Sequence, residues 1–190
     1  MKMNTSAEIE KAYMAFETGD YVSARAIFEC LENEHGGRAH LYLGWMFERG
    51  LGGCEDLTKA EYHFRCLAEV GDLDGKYYLA TALQRRGEVQ SAAALFGEAA
   101  DLGHVSAAFW AYALYNKELS HIVGAQEKAQ KYLIKASELG HIFAQRDLAL
   151  QVATSGKNFW QRFLARLRYW VSKVNGFVLI LKNSEDLRIR

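Results

Sequence analysis

Along residues 39–71 the apolar and small positions fall into two stripes: Ala39, Leu43, Gly44 and Phe47, then Ala60, Phe64 and Ala68. Steps of three and four residues put each stripe on one face of a helix. Between them lies a glycine-bearing stretch, Arg49-Gly50-Leu51-Gly52-Gly53-Cys54-Glu55-Asp56. The pattern predicts two antiparallel helices, with small residues admitting a close neighbour and large ones filling the space between layers. The glycines allow positive φ in the connecting turn. Asp56, three residues before Lys59, is placed to cap the second helix. No β-branched run alternates strictly with polar residues, so no sheet is predicted.

This arrangement repeats. Leu102-Gly103-His104-Val105-Ser106-Ala107 reappears as Leu139-Gly140-His141-Ile142-Phe143-Ala144, with a weaker copy at Val70-Gly71-Asp72-Leu73-Asp74-Gly75. Gly71, Gly103 and Gly140 stand 32 and 37 residues apart, a period that marks stacked helix pairs too small to bury their own apolar faces. Residues 73–104 form a shorter unit, with Leu79, Ala80, Leu83, Gly87, Val89, Ala92, Phe96 and Ala99. Residues 105–141 return to the longer form through Ala107, Tyr115, Lys128-Ala129 and Gly140, although the loop at 116–126 lacks a Gly-x-Gly. Gly19-Asp20-Tyr21, Ala24, Phe28 and Leu31 mark an opening unit, and residues 142–155 read as the first helix of a fifth.

Ala39, Leu43-Gly44, Phe47, Gly50-Leu51-Gly52, Asp56, Lys59-Ala60, Ala68 and Gly71 resemble the Sel-one-like repeat, with Phe47 where that pattern has Tyr. The shorter units resemble the tetratricopeptide spacing. The resemblance spans roughly residues 6–155 and implies an all-α fold, a right-handed α-solenoid of antiparallel helix pairs. It also implies a non-enzymatic adaptor or scaffold that needs no cofactor and holds a protein partner in its concave groove. In such arrays the first helix of each pair lines that groove. By register the expected contacts are Tyr42, Trp45, Tyr77, Gln84, Phe109, Trp110 and Arg146, of the residue types that anchor protein interfaces. Interhelical core is the competing role for each aromatic.

Half of the 190 residues are hydrophobic and none is proline. Proline is dispensable where glycine ends each helix. Residues 1–10 carry one lysine and no apolar core, so they do not read as a signal peptide. Cys30, Cys54 and Cys66 then read as reduced, buried filler in a cytosolic protein. Cys54, His63 and Cys66 lack a fourth ligand and a two-residue cysteine spacing, so no metal site is expected. His104 and His141 share a post-glycine position, which points to turn hydrogen bonding. No acid–base pair, nucleophile elbow or phosphate loop stands out.

Net charge is zero but unevenly spread. Residues 157–190 hold eight Lys/Arg and two Asp/Glu, leaving 15 and 21 for residues 1–156. At about 100° per residue, Phe159, Trp160, Phe163, Leu164, Leu167, Trp170, Val171 and Val174 share a sector of about 140°. Arg162, Arg166 and Lys173 lie on one flank and Arg168 on the other. The pattern predicts a C-terminal amphipathic helix broken at Asn175-Gly176 and followed by an apolar run from Phe177. Four central cations at roughly 2.5–3.5 kcal/mol each argue against a span. Three roles stay open for residues 157–182: capping the array with the aromatics, lying on an anionic membrane surface, or docking to a membrane protein. Phe159, Trp160, Arg162, Phe163, Arg166, Leu167, Trp170, Lys173 and Phe177 are the docking candidates. A peripheral position on the inner membrane face, a homo-oligomer paired through the tails, and a regulatory subunit of a polysaccharide synthase or glycosyltransferase fit the same features. Nucleic acid is not expected, because the body is acidic and carries no recognised motif.

Overall fold

A computed structural model describes residues 5–31, 36–155 and 159–182; the side chains at 5, 6, 155, 159 and 179–182 lie outside that description. The described residues form ten helices and no strand. In chain order these are α1 (Thr5–Glu17), α2 (Tyr21–Leu31), α3 (Gly36–Arg49), α4 (Leu57–Glu69), α5 (Leu73–Arg85), α6 (Val89–Asp101), α7 (Val105–Asn116), α8 (Ala125–Glu138), α9 (Ile142–Ser155) and α10 (Phe159–Lys182). The chain divides into two compact units, Met1–Arg86 and Gly87–Arg190.

In the first unit each helix packs on the next along the chain from α1 to α5. The core is built from Phe28, Leu31, Leu43, Met46, Phe64 and Leu67 with Ala24, Ala39 and Ala60 between them. Gly44 makes this spacing possible, since a Cβ there would run into the ring of Phe64. The loop after α3 is held by Leu51 N–H donating to Met46 O and Asp56 N–H donating to Phe47 O, at 2.8 and 2.9 Å. Gly52, at φ +71°, brings its backbone against that of Tyr21. Asp56 then caps α4 by accepting from Lys59 N–H at 3.0 Å.

The second unit is packed more tightly with alanine. Ala92, Ala93, Ala99, Ala100, Ala107, Ala108, Ala111 and Ala136 are fully buried around Phe96 and Leu114. Lys131 and Lys135 of α8 reach Asp101 at the end of α6 at 3.0 and 3.2 Å. These exposed pairs orient the helices more than they stabilise them.

Gly71, Gly103 and Gly140 occupy equivalent bends, at φ +82°, +102° and +90°. Each glycine donates to the carbonyl three residues back, and the next residue donates to the carbonyl five back. This is the Schellman pairing that closes a helix. The residue after the glycine then opens the next helix. Asp72 Oδ1 accepts from Gly75 N–H at 2.8 Å, His104 Nδ1 from Ala107 N–H at 3.0 Å and His141 Nδ1 from Ala144 N–H at 3.4 Å. Two adjacent residues thus end one helix and start the next.

The sequence expectation for the C-terminus needs two corrections. First, α10 is not broken at Asn175-Gly176 but continues to Lys182. Gly176 lies in the contact with α9, where a Cβ would stand 3.1 Å from Ile142 Cγ2. Packing against α9 offsets the ~1 kcal/mol that glycine costs inside a helix. Second, the aromatic face is not buried on the last repeat: Trp170 and Phe177 only border a groove with Ile142, Phe143 and Arg146 and stay 60% and 64% exposed. Among the described side chains of α10, Ala165, Ser172 and Gly176 are buried, with Tyr169 half-buried between them. They face α9, where Ala149 and Ala153 are buried. The two helices run antiparallel, and α10 is the second helix of a complete fifth pair. No helix among the described residues is long and apolar enough to cross a membrane.

Candidate functional site

The first helices of the pairs carry the candidate contact residues, and each unit has its own set. In the first unit, Tyr13 and Phe16 of α1 meet Tyr42 of α3 at ring distances of 5.1 and 4.9 Å. Tyr42 meets Trp45 at 5.5 Å, and Trp45 meets Tyr78 of α5 at 5.5 Å. Tyr77 adjoins Tyr78 at 5.2 Å, and Gln84 stands half-buried in the last turn of α5. A ladder of aromatic rings therefore runs across three first helices. Burial, helped by Tyr13 and Glu17, pushes the Tyr42 phenol above its ordinary value.

Two donors in this ladder have no acceptor among the described residues. Trp45 Nε1 and Tyr13 Oη are buried without a hydrogen-bond partner there. A buried N–H or O–H left unpaired costs about 1–3 kcal/mol. Both belong to rings touching Tyr42, so the orphaned donors sit in one neighbourhood.

In the second unit, Phe109 of α7 stacks on the buried His141 ring at 4.2 Å and meets Phe143 of α9 at 6.2 Å. The Arg146 guanidinium lies 5.1 Å from the Phe143 ring and donates through Nε and Nη2 to Asp147 Oδ1 at 2.9 and 2.7 Å. Tyr112, half-buried 5.9 Å from Phe109, has its phenol pushed up by burial and by Asp147. Trp110 departs from this group and stacks on Phe96 of α6 at 6.4 Å. Tyr42 and Trp45 are thus brought together, as are Phe109 and Arg146 around Phe143.

Tyr13, Phe16, Tyr78, Tyr112 and Phe143 join these faces without having been singled out by sequence. The signal was present: Tyr13 and Phe16, Tyr42 and Trp45, and Phe109 and Tyr112 are aromatic pairs three residues apart on first helices. Such a pair shares one helix face.

A separate histidine pair lies between α3 and α4. His40 Nδ1 and His63 Nδ1 are 2.9 Å apart, and the His63 ring stacks on Phe47 at 5.4 Å. Burial is the main cause that lowers the His63 imidazole from 6.5 to about 4, followed by His40, Lys59 and Arg25. One ring must donate and the other accept, which requires at least one neutral Nδ1. No group of three or more His, Cys, Asp or Glu suited to a metal occurs among the described residues. The cysteines are not buried filler: Cys30 and Cys54 are exposed and Cys66 is partly so, because they fall off the core stripes of their segments.

On α10 the remaining candidates are outward-facing. Trp160, Phe163, Leu167, Trp170 and Phe177 are 50–69% exposed, and Arg162, Arg166 and Lys173 are exposed beside them. Phe159 opens the helix, but its side chain lies outside the described residues.

No family model and no curated protein matches this chain. Its fold is nevertheless that of solved Sel1-repeat proteins. It superposes on c5321, a protective antigen of uropathogenic Escherichia coli strains displaying an SLR fold, with TM-score 0.73 and 22% identity. That match covers 97% of this chain and 43% of c5321, so the chain spans less than half of that structure. A Sel1 repeat protein from Oxalobacter formigenes matches with TM-score 0.71 and 18% identity, over 87% of this chain and 70% of its own. The MamA protein matches with TM-score 0.60 and 17% identity over 98% of both chains. The chain is an all-α repeat protein with the Sel1-like fold.

Proposed function

We propose that this protein is a non-enzymatic adaptor that holds a segment of a partner protein against the aromatic faces of its first helices. The observation that carries the reading is the unpaired Trp45 Nε1–H within the Tyr13–Tyr42–Trp45–Tyr78 ladder. The donor is buried in the free protein, so a bound segment would satisfy it by shifting the indole, bringing a backbone carbonyl to Nε1 and packing over the neighbouring rings. Aromatic rings that combine a broad apolar body with a polar tip suit such recognition. The Sel1-like fold supports the same role. In this reading the protein works in a reducing compartment, in keeping with three free cysteines. Its C-terminal helix holds it at a membrane complex.

The test is Trp45→Phe, which keeps a ring and removes the donor. Partners recovered from the native host with the unaltered protein are titrated calorimetrically against both forms. The variant should bind about tenfold or more weakly while its own unfolding free energy stays equal or rises by about 1 kcal/mol, because an orphaned donor is gone. Equal affinity, or a loss of stability without a loss of binding, overturns the reading.

A further inference from the structure

We propose that α10 lies flat on an anionic lipid surface while remaining docked on α9. This rests on the localising role given above to the C-terminal helix and names what it binds. Three observations converge on lipid. The first is the direction of packing. At about 100° per residue, the stripe Ala165–Tyr169–Ser172–Gly176 is centred about 180° from the middle of the apolar sector. Trp160, Phe163, Leu167, Trp170, Val174 and Phe177 are each at least half exposed; Trp170, Val174 and Phe177 border an open groove with Ile142, Phe143 and Arg146 of α9, and Leu167 one with Ala149 and Val152. The helix can present this whole face without leaving its partner helix.

The second observation is size. Twenty-four residues make a rod about 36 Å long. The exposed apolar strip from Trp160 to Val178 covers about 27 Å of it and bears two exposed tryptophans, larger than a soluble surface ordinarily leaves in water. The third is charge. The sequence of α10 contains Arg162, Arg166, Arg168, Lys173 and Lys182 and no Asp or Glu. Arg162, Arg166 and Lys173 border the apolar sector on one side and Arg168 on the other, all exposed. Lys173 Nζ lies 5.3 Å from the Trp170 ring centre, at the edge of that sector. Cations at both borders of an apolar face meet headgroups when the face enters the acyl boundary. A second copy of the chain would instead set cations against cations across the contact. Anionic lipid is thus the occupant that satisfies both the apolar face and its rims.

The full chain would be floated with vesicles of phosphatidylcholine alone and of phosphatidylcholine with phosphatidylglycerol. Binding is expected only with the anionic vesicles, weakening as salt is raised. Arg162→Gln with Arg166→Gln should lower the partition coefficient by about thirtyfold. Trp160→Ala with Trp170→Ala should lower it by at least about tenfold. These side chains point outward, so circular dichroism of both variants should match the parent. Absence of anionic-vesicle binding, or equal binding to both vesicle types, overturns the proposal. So does a concentration-dependent mass that the tryptophan variant loses, which would make a second copy the occupant. Binding to native-host membranes that protease treatment abolishes, with none to vesicles, overturns the lipid assignment and leaves a tether through a membrane protein. Loss of α10 with no change in native membrane association removes the tether as well.

Discussion

Gly44→Ala isolates the close helix approach on which the first unit depends. A Cβ at position 44 would fall inside van der Waals contact of three carbons of the Phe64 ring. The ring has nowhere to go: it is 1% exposed and stacked on Tyr78 at 5.1 Å. Two effects of opposite sign compete. Alanine is the better helix former by about 1 kcal/mol. Forcing an extra carbon into a filled core costs about 1–3 kcal/mol, and three contacts to a locked ring place this case at the upper end. The net expectation is a loss of about 2 kcal/mol in unfolding free energy. Phe64→Leu removes the obstructing ring atoms and has its own cost. In that background Gly44→Ala should be neutral or stabilising by up to about 1 kcal/mol. Urea unfolding of the four proteins, followed by circular dichroism, gives a coupling of about 2–3 kcal/mol if the reasoning holds. Additive effects, or a stabilising Gly44→Ala in the parent, would refute it.

Two further outcomes are expected. Gly103 has φ +102° and open space where a Cβ would stand, so its requirement is conformational; Gly103→Val should lose about 2 kcal/mol or more and Gly103→Asn distinctly less, and equal losses in urea unfolding would remove the left-handed bend as the cause. His63, lowered from 6.5 to about 4 when folded, binds its proton more readily in the unfolded chain between those values. Its contribution is complete above about pH 6.5 and is lost as pH falls towards 4. The shift corresponds to at most about 3.4 kcal/mol, and screening reduces the expected loss to about 1–2 kcal/mol. His63→Phe should flatten the pH dependence of unfolding between pH 6.5 and 5, and an unchanged slope counts against the buried neutral ring.

The inter-repeat bends were legible because their determinants are adjacent in the chain. A glycine that closes one helix and an Asp or His that opens the next need only local hydrogen bonds, so Gly71-Asp72, Gly103-His104 and Gly140-His141 announce themselves. Asp56 and the Gly50–Gly52 turn were readable for the same reason. The aromatic ladder was only partly legible. Tyr42 and Trp45 stood out beside a strong repeat pattern, whereas Tyr13 and Tyr78 acquire meaning from rings distant in sequence.

By itself the sequence determined the helix pairs, their bends and the polarity of α10, since each follows from periodicity and neighbouring-residue chemistry. Only tertiary structure decided which side of α10 meets the protein. A large apolar face would bury more area. The stripe of Ala165, Ser172 and Gly176 permits a closer approach to Ala149 and Ala153 of α9, and that pairing sets the orientation. The same contact carries the helix through Gly176, because packing with Ile142 supplies what the local sequence lacks. Trp160 and Trp170 are thereby left 69% and 60% exposed, beside exposed Arg162, Arg166 and Arg168.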